Sequence, residues 1–236
     1  AFADAPIAGL AEAYDLIVLD HPHVGQIAET GALLPLPAPI DAAASLGGSA
    51  ESYFWNGACW AYAIDAACQM AAYRPDLGTP LPRTWEDFFG PDAQSFRVLT
   101  PFLPVDAFDM FMTIVAGRGE DDLPRTRERF VSDENGPYAL NVMSALYALG
   151  PDEAVERNPI AVLETLSTTN EFACSPCLFG YVNYARPRFR AHQLAYFDLP
   201  LCEGYDRPRA ILGGAGIGVS ARTRAPDEAI AIASWI

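Results

Sequence analysis

The pattern of apolar and polar positions changes most abruptly between Leu16 and His23. Leu16, Ile17, Val18 and Leu19 are apolar in succession, so both pleat faces of an extended segment carry hydrocarbon. That predicts a strand covered from both sides, as in an α/β sheet, rather than one with a wet face. Asp20, His21, Pro22 and His23 follow at the carboxyl end of the strand, where open α/β sheets place ligands. Val24 to Thr30 then predicts a helix ended by Gly31, and three prolines keep residues 33–40 extended. Residues 1–13 feed the strand as a helix or loop.

Three aromatic residues, Tyr53 to Trp55, precede an Asn56-Gly57 pair, and Cys59 to Ile64 resumes with aromatic residues at 60 and 62. An Asn-Gly pair flanked by such runs predicts a hairpin. Asp65 is placed to cap a helix over 66–73, closed by Arg74-Pro75. Thr84 can cap a short helix whose first turn carries Glu86 and Asp87. Further along, the pattern predicts a short strand over 96–100, a helix over 106–116, and a polar helix from Arg125 running irregularly toward Gly136. Helices are expected over 137–149 and over 152–168, the latter bent at Asn158-Pro159. ACSPCLFGY, at 173–181, reads as loop-like. Residues 194–199 predict a strand, ILGGAGIGVS at 211–220 is extended and rich in glycine, and Pro226 opens a last helix.

Composition narrows what this α/β chain can do. Its 236 residues, 51% hydrophobic, suffice for one large domain or two lobes. The net charge is −15, and all 15 basic residues are arginines. So acidic a surface argues against nucleic-acid phosphates and anionic membranes as partners. No apolar run reaches the ~20 residues of a membrane-spanning helix. The chain opens on Ala1-Phe2 and closes within an apparent helix at Trp235-Ile236, so terminal elements of the fold are expected to be missing. Five cysteines are too few for a disulfide scaffold. Cys174 and Cys177 form a CxxC, which three readings fit: a redox pair, a local disulfide, or two packed thiols.

The order YDLIVLDHPHVGQIAETGALLPL, a WNGxxWAYAID hairpin with YRPDL, PRTWEDF, and GGAGIGVSARTRAPDEAIAIASWI resembles the extracellular solute-binding proteins of ABC importers, the family 1, maltose-binding-like receptors. The resemblance covers nearly the whole chain from Tyr14 and rests on the fixed order of the motifs. It implies a two-lobed periplasmic-binding-protein-like (class II) α/β fold that closes on a solute. Residues 1–97 with 211–236 are expected in the first lobe and 98–210 in the second. The implied function is non-catalytic: a small polar solute, a sugar among the candidates, delivered to a membrane permease by a monomer. The implied setting is periplasmic or extracellular, with a lipid anchor as one option. No cofactor is expected.

The candidate ligand-binding residues follow from chemistry and resemblance together. Asp20, His21 and His23 supply donors, acceptors and a negative charge within four residues. They can contact solute, or cap and bond backbone, or hold a metal with further ligands. Trp55 and Trp60 offer aromatic faces for a sugar ring or fill the core. Asp65 is a helix cap, a hydroxyl acceptor, or both. Gly213 and Gly214 lack the dinucleotide GxGxxG spacing, and their amides suit close approach to a solute instead. The resemblance places Phe102, Asp106, Tyr181, Asn183 and Tyr184 on the facing lobe. Two other functions stay open: an enzyme with Cys174 or Cys177 as nucleophile and His21 or His23 as base, and metal capture through Asp20, His21 and His23.

Overall fold

The computed structural model describes residues 7–38, 45–78, 80–119 and 130–236. In chain order the helices are α1 (Ile7–Ala13), α2 (Val24–Thr30), α3 (Pro104–Gly117), α4 (Asn135–Leu149), α5 (Pro159–Thr168) and α6 (Pro226–Trp235). The strands are β1 (Leu16–Asp20), β2 (Phe54–Trp55), β3 (Ala58–Cys59), β4 (Tyr62–Ala63), β5 (Ala67–Tyr73), β6 (Cys174–Phe179), β7 (Ala195–Phe197), β8 (Leu212–Gly213) and β9 (Ala215–Val219). The chain divides into two compact units, Ala1–Ala67 with Leu212–Ile236, and Cys68–Ile211.

In the first unit β9 lies between β1 and β4 and is antiparallel to both, pairing Leu16 with Val219, Asp20 with Ala215 and Tyr62 with Ile217. Ile17 and Leu19 are buried with Ala11 of α1, Val24 and Ile27 of α2, and Tyr53. Leu16 points the other way and packs with Ile217 of β9 and with Ala229 and Ala233 of α6. Helices therefore cover β1 on both faces, as four apolar residues in a row require, although the pairing is antiparallel. Gly216 is where β9 meets the core most tightly: a Cβ there would stand 2.5 Å from Cε1 of Tyr53. The Asn-Gly hairpin forms as expected, β2 pairing with β3 around Asn56 at φ 50° and Gly57 at φ 78°. Both positive φ values fit the turn type whose twist matches a two-residue hairpin.

The second unit is built on a sheet of β6, β5 and β7, with β5 antiparallel to both neighbours. Trp85, Phe88, Val98, Met110, Ile114, Val142, Leu146, Cys174 and Cys177 share one core cluster, supplied largely by α3, α4 and β6. Leu99, Val162, Leu163, Leu166 and Leu178 share another. A helix of 10 residues such as α5 is marginal alone. Val162, Leu163 and Leu166 are each 0% exposed, and burial of such side chains contributes roughly 1.5–3 kcal/mol apiece. Packing therefore holds α5, and Asn158 fixes its start by accepting the Ala161 N–H at 2.9 Å.

Several expectations need correction. Residues 67–73 form a strand, not a helix. Their alanines favour a helix locally, but Ala71 and Ala72 are 0% exposed, paired with Phe197 and Tyr196 of β7, and tertiary pairing overrides propensity. Residues 68–97, expected in the first lobe, pack in the second unit through β5 and the buried Trp85, Phe88 and Phe96. The stretch taken as a loop around CxxC is β6. Cys59 to Ile64 is interrupted at Trp60-Ala61, and 96–100 reduces to one bridge, Val98 with Cys174. Residues 152–168 split into a 3-10 turn over Asp152–Glu156 and α5. The polar helix expected from Arg125 lies outside the described residues up to 129, and helix begins at Asn135. Thr84 does form a capping box with Asp87, at the head of a 3-10 helix.

Candidate functional site

β1 carries Asp20 to the end of β9, opposite Ala215, and the chain turns there through His21–His23. Asp20 makes no side-chain cap. His21 is part-buried, its ring edge-on to Tyr53 at 6.1 Å between centroids and 89° between planes. Burial pushes its imidazole below the ordinary value, and His23 adds to that. The charge of Asp20 and the accepting carbonyls of Gly214 and Leu212 oppose it. The net lowering leaves the ring neutral at pH 7, with one donor and one acceptor.

Tyr53 organises this corner. It is 0% exposed and donates its hydroxyl to the Gly214 carbonyl at 3.2 Å. Asp65 Oδ1 accepts the Ala215 N–H at 2.6 Å, so Asp65 caps β9 rather than a helix, and Oδ2 has no hydrogen-bond partner among the described residues. Gly214 sits at φ 129°, and a Cβ there would stand 2.8 Å from the Asp65 carbonyl oxygen. Only glycine suits both conditions. The first unit thus brings Asp20, His21, Asp65 and Gly214 together around Tyr53, with Gly213 beside them in β8. His23 is exposed. The Trp55 ring lies against α2 at Gly25, where a Cβ would be 3.0 Å away, and Trp60 donates Nε1–H to the Trp55 carbonyl at 3.1 Å. Trp60 packs against the first unit's core, while Trp55, beside α2, stays 43% exposed.

Residues of the second unit take different roles. Phe102 packs edge-on to Tyr147 at 5.5 Å. Asp106, in the first turn of α3, is 7% exposed, and its buried Oδ2 has no partner among the described residues. Burial first, then the charge of Asp109, raise its pKa to about 6. Tyr184 belongs to a core cluster, its hydroxyl donated to Glu164 at 2.7 Å, while Tyr181 and Asn183 are exposed. The backbone of Tyr181 is tied to Tyr196, whose hydroxyl donates to the Tyr181 carbonyl at 2.7 Å and accepts its N–H at 3.2 Å.

A cavity of about 430 Å³ opens in the same unit, lined in part by Gln69, Met70, Tyr196, Phe197, Asp198 and Arg209. The sequence-predicted residues do not line it. Gln69 was hidden inside a stretch that reads as helix. Asp198 precedes Leu199-Pro200 with no spacing signal around it, and only the aromatic pair Tyr196-Phe197 hinted at a recognition surface.

The CxxC lacks the features of an activated nucleophile. Cys174 and Cys177 are three residues apart on a strand, which separates their Cα atoms by about 10 Å, while a disulfide needs less than about 7 Å. All five cysteines are free, and all but Cys68 are buried. Burial pushes the Cys174 thiol up to about 12 and that of Cys177 higher still, the reverse of an activated thiolate. Among the described residues no three His, Cys, Asp or Glu side chains converge as a metal would require, which removes support from the Asp20, His21 and His23 metal reading.

No model of a known protein family matches the sequence, and no curated protein sequence matches it. Solved structures do. The chain is similar to an ABC transporter solute-binding protein of Agrobacterium vitis S4 with bound D-mannitol, at TM-score 0.70 and 17% identity over 97% of this chain and 60% of that one. It is similar to maltose-bound MalE3 of T. maritima, at TM-score 0.73 and 17% identity over 94% and 61%. The GacH receptor of Streptomyces glaucescens, solved unliganded and with acarbose, gives TM-score 0.77 and 18% identity over 97% and 63%. The chain spans about three fifths of the length of these proteins. Over that span it has their α/β fold, the fold that the order of its motifs implies.

Proposed function

We propose that this chain belongs to an extracytoplasmic receptor that binds a small polyhydroxylated solute, a sugar or sugar alcohol, and hands it to the permease of an ABC importer. The observation that carries the reading is the likeness of nearly the whole chain to solute-binding proteins solved with mannitol, maltose, acarbose and ribitol. The chemistry at the end of β1 supports it. A neutral His21 and a carboxylate oxygen of Asp65 offer hydroxyl groups a mixed set of donors and acceptors, beside the backbone of Gly213 and Gly214. Asp20 adds a further carboxylate there. Delivery rather than turnover is consistent with thiols that burial keeps protonated. The protein works as a monomer, without cofactor.

A thermal-shift screen against sugars, sugar alcohols, amino acids and divalent metals tests this. A ligand that binds only the folded state at 100 times its Kd stabilises by about 2.7 kcal/mol, so one sugar or sugar alcohol should raise Tm clearly. His21→Ala and Asp65→Asn should then weaken that solute roughly 3- to 30-fold. A rise in Tm with metals alone, or turnover of a substrate that is lost on alkylation, would overturn the reading.

A further inference from the structure

The cavity beside β5 and β7 is open to solvent and has one buried polar side chain in its wall. Its volume of about 430 Å³ falls within the roughly 300–1,000 Å³ of small-molecule sites. Gln69, on β5, lines it while only 3% exposed. Its Oε1 accepts the Cys177 thiol at 3.4 Å, and that thiol stays protonated because burial, and then the charge of Asp109, push its pKa far up. With Oε1 so occupied, Gln69 offers its Nε2–H donors, which have no partner among the described residues. Nε2 is not among the buried unpartnered atoms, so it is open to the cavity, where a ligand oxygen can accept from it.

The other walls define what fits. Tyr196 has its hydroxyl committed to the Tyr181 backbone, so it can offer a ligand only its ring. Phe197 is braced edge-on by Tyr73 at 5.4 Å, and Met70 adds a soft apolar surface. Asp198 is exposed and its carboxylate has no partner among the described residues. Arg209 also lines the cavity. Donors at the buried end, a carboxylate at the open end and aromatic walls between them match a neutral molecule with hydroxyl groups on its edge and C–H groups on its face.

We infer that this cavity is the second unit's solute pocket, in which the Gln69 amide and the Asp198 carboxylate hold hydroxyl groups of a neutral polyol or sugar laid against Tyr196. The assignment rests on the receptor reading above.

Calorimetry on the full chain tests it with D-mannitol, D-glucose and maltose as neutral probes, and putrescine and citrate as charged ones. Wild type should bind at least one neutral probe and neither charged one. Asp198→Asn, at an exposed position that leaves folding intact, should weaken that probe about 10- to 100-fold, and Gln69→Met about 5- to 20-fold. Gln69→Met keeps the side chain's length and lacks only its amide, with Tm as the check on folding. If no neutral probe binds wild type, the receptor reading fails and takes this inference with it. If a neutral probe binds and Asp198→Asn leaves its Kd within twofold, the receptor stands and the pocket assignment alone is overturned. Tighter binding of putrescine or citrate than of every neutral probe overturns the assigned ligand class.

Discussion

The two units differ in how completely their buried polar groups are bonded. Around Tyr53 in the first unit, polar side chains are bonded to backbone: the Tyr53 hydroxyl to Gly214, Asp65 to Ala215, Ser49 to the Asp65 carbonyl at 3.3 Å. In the second unit Thr100 Oγ1, Asp106 Oδ2 and Ser175 Oγ are buried without a partner among the described residues. Each such atom costs about 1–3 kcal/mol. The first unit therefore has a corner pre-organised by its own backbone. The second carries unspent hydrogen-bonding capacity, which lowers its stability.

The largest effect that can break this comparison lies in the first unit. Gly214→Ala forces a Cβ against the Asp65 carbonyl at positive φ, and the protein should lose about 2–4 kcal/mol in urea denaturation. An unchanged midpoint would mean that the corner is loose and its bonds incidental. The next effect lies in the second unit and has the opposite sign. The pKa of Asp106 is raised from 3.8 to about 6, so the folded state holds the proton more tightly than the unfolded chain does. Its stabilising contribution is full below about pH 3.8 and is lost as pH rises through about 6. Asp106→Asn should accordingly stabilise the protein by about 2 kcal/mol at pH 7.5 and by little at pH 4, as read from melts at the two pH values. Destabilisation at pH 7.5 would show that the carboxylate has a partner after all. The smallest effect sharpens the contrast between closed core and open pocket. Iodoacetamide should add one group to the folded protein, at Cys68, and Cys174→Ser with Cys177→Ser should bind solute as wild type does. Rapid modification of Cys174 or Cys177, seen by mass spectrometry, would place them at an accessible surface.

Local chemistry was readable where it was self-contained. Asn56-Gly57 encodes its turn, Thr84 with Asp87 its capping box, and Leu16 to Leu19 a strand covered twice. β5 was not readable, because the partners that make 67–73 a strand lie more than a hundred residues away in β6 and β7. The same distance hid the pocket: Gln69 and Asp198 meet only when β5 and β7 pair, and neither carries a motif. Of the candidate site, the convergence of Asp20 and His21 on Gly213 and Gly214 could be anticipated from strand ends. The packing of Trp60 and Tyr184 could not, since aromatic residues at a cleft and in a core look alike in one dimension.

The pairing of Leu16 with Val219 also sets an order of events. It closes a loop of about 200 residues, and closure entropy must be met before any contact rewards it. The sheet of the first unit cannot form until β9 has emerged from the ribosome, whereas the residues of the second unit are contiguous and can assemble earlier. Through most of synthesis the hydrocarbon of β1 has nothing to pair with. Such a nascent chain stays open for as long as translation lasts, in a form that a holding chaperone can recognise.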